Sequence, residues 1–589
     1  MRVSGWSILA LAALFTAAFA GLARSLHRVQ VVDVAEFKRN LANQATRRMR
    51  KPCIRGRILD SRGGVLAESR ARRDIVCDFS AFTGAGGISN TIAAIGGEIS
   101  RLAESLGIDK PAHLTAARIE RHMRTSCAVP MCVWKDLDEA TLARFAEREA
   151  QFKGFAVEAH AERRYPRGTF AAHLVGYTGR DRSAADSDDV KLLAYELDMK
   201  GRAGVEAFYN DYLAGSPGTV RIPVDARGFK PSGAASGALA LEETEEREPQ
   251  NGLDLVLTLD PAIQEMAERQ LAGMRGACVV LDPRDGAVLA LVSSPAFDPN
   301  DFVPFISSVR YRELSEDPGK PLLNRATAGL YAPGSTFKPV TALAALKSGF
   351  NPAEPYECTG VYTLGDMKLH CWNRWGQGPL DLRMAMEQSC NPYFARIGYL
   401  VGTNALFGVA RMFGFESKTG IDYAPELAGS LSSPPFYPGL ASQSAIGQGR
   451  LQVTPLQMAV ECATLANGGK VYAPYLKKRA EGAEAVQPVR TLKCRPEDIE
   501  IVRLGMRDVV EGAHGTGKAI GGLKVSCAGK TGTAQIGGEE KDTWIIAFAP
   551  YENPVVAVSM VVERGVSGGK TVAPRVHALL ASVFGEMEE

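Results

Sequence analysis

The stretch YAPGSTFKPVTALAALKSG, Tyr331 to Gly349, changes character in its middle. Tyr331-Ala332-Pro333-Gly334 is a turn signal, and the residues after it read as an apolar helix with Pro339 in the first turn, where a missing N–H costs little. Ser335 and Lys338 are three apart. Residues at that spacing share a helix face, so the Lys338 amine is expected beside the Ser335 hydroxyl. A serine hydroxyl is a weak nucleophile and needs a base. A lysine moved out of water can supply one, because burial lowers its pKa. The N-terminal end of the helix favours negative charge as it develops. With only two positions specified, about one Ser-x-x-Lys is expected by chance in a chain of this size, so the pair decides nothing alone.

Two further segments give it weight. Ser389-Cys390-Asn391 follows 54 residues later, after the helical stretch LRMAMEQ. Lys530-Thr531-Gly532-Thr533 comes 141 residues after Ser389, inside VSCAGKTGTAQIGG. That segment reads as an edge strand whose glycines let a ligand approach the backbone. Ser-x-x-Lys, Ser-x-Asn and Lys-Thr-Gly in this order are the signature of the penicillin-recognising serine enzymes. Lys418-Thr419-Gly420 spells the third motif again, but between a helix ending near Gly414 and Ile421-Asp422-Tyr423 it reads as a loop and a decoy.

Outward from these motifs the chain divides. At 589 residues it is too long for one domain. The 46% apolar and 23% charged composition is that of an ordinary globular protein, and a net charge of +2 without a basic patch points away from nucleic acid. Trp6 to Leu22 carries no charge; at 17 residues it sits at the lower limit for a transmembrane helix. A cleaved signal peptide is the alternative, since Ala18-Phe19-Ala20 looks like a cleavage site. Arg24 and Arg28 outnumber Arg2, so flanking charge does not settle orientation. Gly56 to Ala67 reads as strand, turn at Gly63-Gly64, strand; residues 137–151 carry helical periodicity. From Gly228 the sequence is small, Pro-containing and then acidic, GFKPSGAASGALALEETEEREPQNG, and reads as a solvated linker. Beyond Leu253 order returns: LDLVLTLD as a strand, a helix opening at Pro261, and a hairpin turning at Pro283 to Gly286. Strands and helices without a regular βαβ beat suggest an α+β fold. The expected division is an anchor over 1–24, a pedestal over 25–250 ending in the acidic stretch, and a catalytic domain over 251–589.

With these motifs in place, the chain resembles the class B penicillin-binding proteins over nearly its whole length. Arg55-Gly56 with Ile58-x-Asp60 and Gly64-x-Leu66-Ala67, and Gly201-x-x-Gly204-x-Glu206, look like that family's pedestal motifs. Gly447-Gln448-Gly449 with Thr454-Pro455-Leu456-Gln457-Met458 looks like its transpeptidase-domain helix. Val133-Trp134-Lys135, Arg163-Arg164-Tyr165-Pro166 and Trp375-Gly376-x-Gly378 are most similar to the elongation branch, penicillin-binding protein 2, with the division branch as alternative. The resemblance implies a five-stranded antiparallel sheet between helical layers, on an elongated pedestal. It implies a peptidoglycan D,D-transpeptidase that cross-links stem peptides and is acylated by β-lactams. Ser335 would be the nucleophile and Lys338 its base. Ser389 would relay a proton to the leaving D-alanine, and Asn391 would hold the donor amide. Lys530 would keep the site positive. Thr531 and Thr533, around Gly532, would bind the terminal carboxylate, and the Ser335 and Thr533 N–H groups would form the oxyanion hole.

A β-lactamase shares the motifs but needs a base for deacylation, which is not identifiable here, and no pedestal. A β-lactam sensor usually carries several membrane spans. A scaffold would be expected to have lost Ser335, Lys338 or Lys530. No cofactor is implied, and no metal is assigned to the catalytic motifs. The absence of a glycan-polymerising domain implies a separate glycosyltransferase of the SEDS family. The catalytic domain is expected outside the cytoplasmic (inner) membrane, held by a single span. YECTGVYTLGDMKLHCW, Tyr356 to Trp372, reads as a hairpin turning at Leu364-Gly365. Counting outward places Met367 opposite Tyr362 and Cys371 opposite Cys358, which suits a disulfide. Two free thiols, or a zinc site with Cys390 as third ligand, are the alternatives. Elongation-type relatives tend to have histidine where Gln377 stands, which leaves such a zinc site short of a fourth ligand.

Overall fold

The computed structural model of the protein describes residues 5–33, 46–181, 192–193, 199–225, 227–230, 244–431 and 437–585. Helix α1, Gly5–His27, opens the chain with every side chain exposed. The apolar span Gly5–Val32 is long enough to cross a bilayer. Among the described residues its apolar side chains are left exposed.

The pedestal is organised by strands β1 (Val65–Cys77) and β2 (Phe155–Arg164), antiparallel from Glu68↔Arg164 to Cys77↔Phe155. The far half of β1 buries Ile75 and Cys77 against Ile95, Ile99 and Leu102 of the helix Ile88–Leu106, a small core of its own. The near half behaves differently. Leu66 and Ala67 join Leu255, Leu257 and the catalytic-domain interior in one continuous core. At this junction the pedestal motifs meet. Glu206 is fully buried and accepts from Arg163 Nε at 2.6 Å and Arg55 Nε at 2.7 Å, while Arg163 Nη1 donates to Gly56 O at 2.7 Å. Two guanidiniums and one carboxylate leave no bare buried charge on the acid.

In the catalytic domain, Asp260 caps helix α2 (Pro261–Gln270). Strands β3 (Gly276–Leu281) and β4 (Val288–Ser294) form the expected hairpin. Helices α3 (Lys338–Lys347), α4 (Asn391–Phe413), α5 (Pro455–Ala466) and α6 (Pro496–Glu511) follow. Strands β5 (Ala528–Gly537), β6 (Glu540–Ala549) and β7 (Val556–Val562) and helix α7 (Ala573–Val583) complete the domain. The sheet order is β4-β3-β7-β6-β5, antiparallel throughout. Alternation assigns each face its layer. Ala277, Val279 and Leu281 point into the core that holds α3, α4 and α5, whereas Cys278 and Val280 point into the core under α2 and α7. Both faces are covered, which is why β3 and β7 are buried along their whole length and almost wholly apolar, Ser559 being the exception. Strand β5 is left at the edge beside the open side of the α3–α4 layer.

Two expectations fail locally. The acidic stretch Glu242 to Glu248 is not all linker: Thr244–Arg247 is a strand paired antiparallel with Gly218–Pro223 on a four-stranded sheet. Thr244 and backbone pairing outweigh the lack of apolar period there. Residues 231–243 of the same stretch lie outside the described residues. The hairpin register also differs. Val361–Leu364 pairs Met367–His370 with Leu364 opposite Met367 across a two-residue Gly365-Asp366 turn, not Tyr362 opposite Met367. A two-residue loop suits strand twist better than the longer one counted from sequence. Cys371 consequently faces Gly360, and Cys358 pairs with Gly378 instead.

Candidate active site

Ser335 sits in a tight 3-10 turn, Gly334–Phe337, and α3 begins only at Lys338. The turn is walled by backbone. Gly334 has φ 56° and donates its N–H to Gly447 O; a Cβ on Gly334 would lie 2.9 Å from Thr533 O, and one on Gly447 1.9 Å from Gly334 O. Ala332 O accepts from Trp544 Nε1 at 3.1 Å. Strand β5 is thereby laid against the serine turn, with Thr533 beside Gly334.

Lys338 is wholly buried. Its Nζ donates to Ser389 O at 2.7 Å and Asn391 Oδ1 at 2.8 Å, and lies 3.2 Å from Ser389 Oγ. The expected pairing with the Ser335 hydroxyl is replaced by these bonds, because a buried amine takes the fixed carbonyl acceptors nearest to it. The i, i+3 rule still brings the two residues to one side of the turn. Burial lowers the Lys338 pKa to about 7, partly offset by Cys390 and Cys371 nearby. A neutral amine donates two N–H bonds, which the two carbonyls take, and keeps its lone pair for a proton.

Ser389 is the meeting point. Its hydroxyl accepts from Lys530 Nζ at 2.8 Å, and Lys530 also donates to Thr531 O. Ser389 has φ 55°, a left-handed backbone rare outside glycine that clusters at functional sites. It arises because the chain must reverse between the helix Leu382–Glu387 and α4, where Cys390 N returns to Ala385 O. Asn391, in the first turn of α4, donates Nδ2 to His370 O. Lys530 is fully buried, and desolvation, then the neighbouring Lys338, push its pKa well below the ordinary range. Thr531 Oγ1 lies 2.7 Å from Thr516 Oγ1, and Thr533 Oγ1 accepts from Gly568 N at 3.4 Å. Thus Ser335, Lys338, Ser389, Asn391, Lys530, Thr531, Gly532 and Thr533 come together from a turn, two helix starts and an edge strand. Thr419 of the decoy is bound to Glu426 in a loop elsewhere.

Sequence models of the penicillin binding protein transpeptidase domain and the penicillin-binding protein dimerisation domain match residues 276–581 and 50–257. The chain belongs to the class B penicillin-binding proteins. Among relatives, it is 34% identical over 510 residues to the peptidoglycan D,D-transpeptidase MrdA of Escherichia coli K12, covering 79% of this chain and 77% of that one. It is 30% identical to stage V sporulation protein D of Bacillus subtilis, covering 74% of this chain and 66% of that one. Among solved structures, Pseudomonas aeruginosa PBP2 in complex with WCK 5153 is similar at 29% identity and TM-score 0.67, over 91% of this chain and 96% of that one. The complex between PBP2 and MreC from Helicobacter pylori gives 25% and 0.77, over 92% and 99%. A chain from a peptidoglycan synthase complex coordinating polymerization and crosslinking gives 30% and 0.72, over 99% of each. Within a class B penicillin-binding protein, several supports of the site had no signal in the short motifs. Thr516 and Trp544 become visible only when strands are paired, and Gly447, flagged by resemblance as part of a helix, lies in the turn before α5.

Beside Lys338, the Sγ atoms of buried Cys358, Cys371 and Cys390 all lie within 4.8 Å of one another. A closed, structural zinc site takes a fourth protein ligand, a nitrogen, sulfur or carboxylate. Gln377 stands next to the group, with its N–H on Cys358 O, its Nε2 on Gln388 O at 3.1 Å, and its Oε1 buried without a partner. His370 is exposed on the hairpin. Among the described residues no imidazole or carboxylate joins the thiols, so the residues present do not complete a zinc site.

Proposed function

We infer that the protein is an elongation-type peptidoglycan D,D-transpeptidase working through a Ser335 acyl-enzyme. The observation that carries this reading is the convergence of Lys338 and Lys530 on Ser389 beside the Ser335 turn. Lys338, neutral near pH 7, takes the Ser335 proton as the hydroxyl attacks the D-Ala-D-Ala carbonyl. The Ser335 and Thr533 N–H groups receive the oxyanion. Ser389 passes the proton to the departing D-alanine, its hydroxyl oriented by the hydrogen bond from Lys530 Nζ. Asn391 positions the donor amide, and Thr531 and Thr533 face its terminal carboxylate. The amine of a second stem peptide then takes the acyl group.

The synthase-complex neighbour supports a cell-shape role with a glycosyltransferase partner, which we propose is of the SEDS type, and the PBP2–MreC complex supports a further protein partner. We propose the division 1–24 anchor, 25–250 pedestal and 251–589 catalytic domain, with α1 spanning the cytoplasmic membrane once and the rest outside it. The division-septum role is not favoured, because the MrdA and PBP2 likenesses run along most of the chain. Incubation with a fluorescent β-lactam tests the reading: one label should sit on Ser335 and leave slowly, and Ser335→Ala should abolish it. Fast turnover of the drug would instead make the protein a β-lactamase.

A further inference from the structure

We propose that Cys371 and Cys390 form a disulfide that pins the Ser389–Asn391 turn to the end of the hairpin, leaving Cys358 as a buried thiol. The inference rests on the extracytoplasmic placement above, since disulfides persist in oxidising compartments. Three observations carry it. The three sulfurs lie within 4.8 Å of one another, a separation that small side-chain rotations close. The zinc alternative lacks a fourth ligand, as shown by Gln377 and the exposed His370. The chain neighbours of Cys371 and Cys390 already touch, since Asn391 Nδ2 donates to His370 O at 3.1 Å. Register gives the reason. Cys358 is committed to the strand opposite Gly378, whereas Cys371 leaves its strand at Gly360 and turns towards the start of α4.

The step balances simply. The Cys371 and Cys390 thiols lose two protons and two electrons and form one S–S bond. An oxidised dithiol protein of the extracytoplasmic space accepts them, its own disulfide becoming two thiols. All three sulfurs are at most 1% exposed in the folded chain, so the exchange belongs to the time before folding is complete. Afterwards the bridge is shielded from reductants. It joins two backbone points that already meet, since Asn391 Nδ2 holds His370 O. The bridge therefore braces the turn that sets Ser389 between the two lysines.

The test is peptide mapping of the full-length protein, purified from membranes without reductant, unfolded in the presence of an alkylating reagent and digested. The expected result is a 371–390 linked peptide and alkylated Cys358. Reductant should convert the linked peptide only after unfolding, not in the native protein. Alkylation of both Cys371 and Cys390 without reductant, a bridge that includes Cys358, or one equivalent of zinc released on unfolding would overturn the proposal. Placement is read separately, by whether protease added outside spheroplasts cuts the catalytic domain. Cleavage with three free thiols would reject the bridge and keep the proposed topology. In addition, Cys371→Ser with Cys390→Ser should slow β-lactam acylation of Ser335 at least tenfold while leaving the pH midpoint of that reaction unchanged, since a disulfide carries no charge to lose, a readout that global unfolding does not give.

Discussion

At the residue scale, the arrangement turns on which lysine is neutral. Both amines are buried beside one hydroxyl, and like charges at that range resist joint protonation. Burial lowers the pKa of both amines, and the Lys338 pKa of about 7 sets the acidic limb of acylation. β-lactam acylation of Ser335 should therefore rise with pH to a plateau with its midpoint near 7, measured by stopped-flow with a chromogenic drug. Lys338→Arg keeps positive charge but holds its proton at any accessible pH. Acylation by that variant should fall by about two or more orders of magnitude with the fold retained, as general-base losses do; an unchanged rate would move the base elsewhere. The short motifs read from sequence are the segments that the fold brings together around Ser389. The sequence reading misassigned the partner of the Lys338 amine, because a hydrogen bond between residues 51 positions apart depends on how α3 and α4 pack.

At the scale of elements, α5 carries a group the reaction does not use. Glu461 is completely buried, and among the described residues neither carboxyl oxygen has a partner, nor do Thr464 Oγ1 on the same helix and Ser559 Oγ on β7. Ser559 lies between Ala557 and Val561, which face the α5 side of the sheet. Burial pushes the Glu461 pKa well above its ordinary value. A carboxyl raised in the folded state contributes its full stability below the unfolded pKa, about 4.3, and loses it as pH rises towards the folded value. Glu461→Gln should then melt above the parent by a margin that grows with pH beyond about 4.3, read by calorimetry across a pH series. A margin independent of pH would mean the group is ionised and paired. That a helix begins near Thr454 was legible through the resemblance, as the β3–β4 hairpin was from its turn; the burial of Glu461 was not, since nothing in a sequence marks which helix face meets a sheet. The hairpin before Ser389 was misread by two residues for a related reason: its turn is chosen by strand twist, and turn signals at Leu364-Gly365 and Gly365-Asp366 are equally good.

At the scale of the whole molecule, the pedestal is two things. Its far lobe has an independent core, while its base shares one with the catalytic domain. Glu206 holds that base together. Burial would raise its pKa, yet Arg163 and Arg55 keep it below the ordinary carboxylate range. Its contribution is present above the unfolded pKa and fades as pH falls through the lower folded one. Glu206→Ala should cost about 3–5 kcal/mol at neutral pH, because it strands two buried guanidiniums, and the thermal transition of the full chain should drop accordingly. A loss below about 1 kcal/mol would show that water reaches the arginines. The change in composition from Gly228 is what suggests a division near residue 250. The continuity of packing across it was not legible, because Ile58, Leu66 and Ala67 lie almost two hundred residues from Leu255 and Leu257. That continuity bears on inheritance. Genes for such proteins can exchange segments between strains, and a crossover placed between the pedestal base and the first catalytic strand would seat side chains of one ancestry in a cavity shaped by another. Viable mosaics should keep residues 55–67, 163–175, 201–213 and 253–259 from a single parent, whatever they borrow around Ser335.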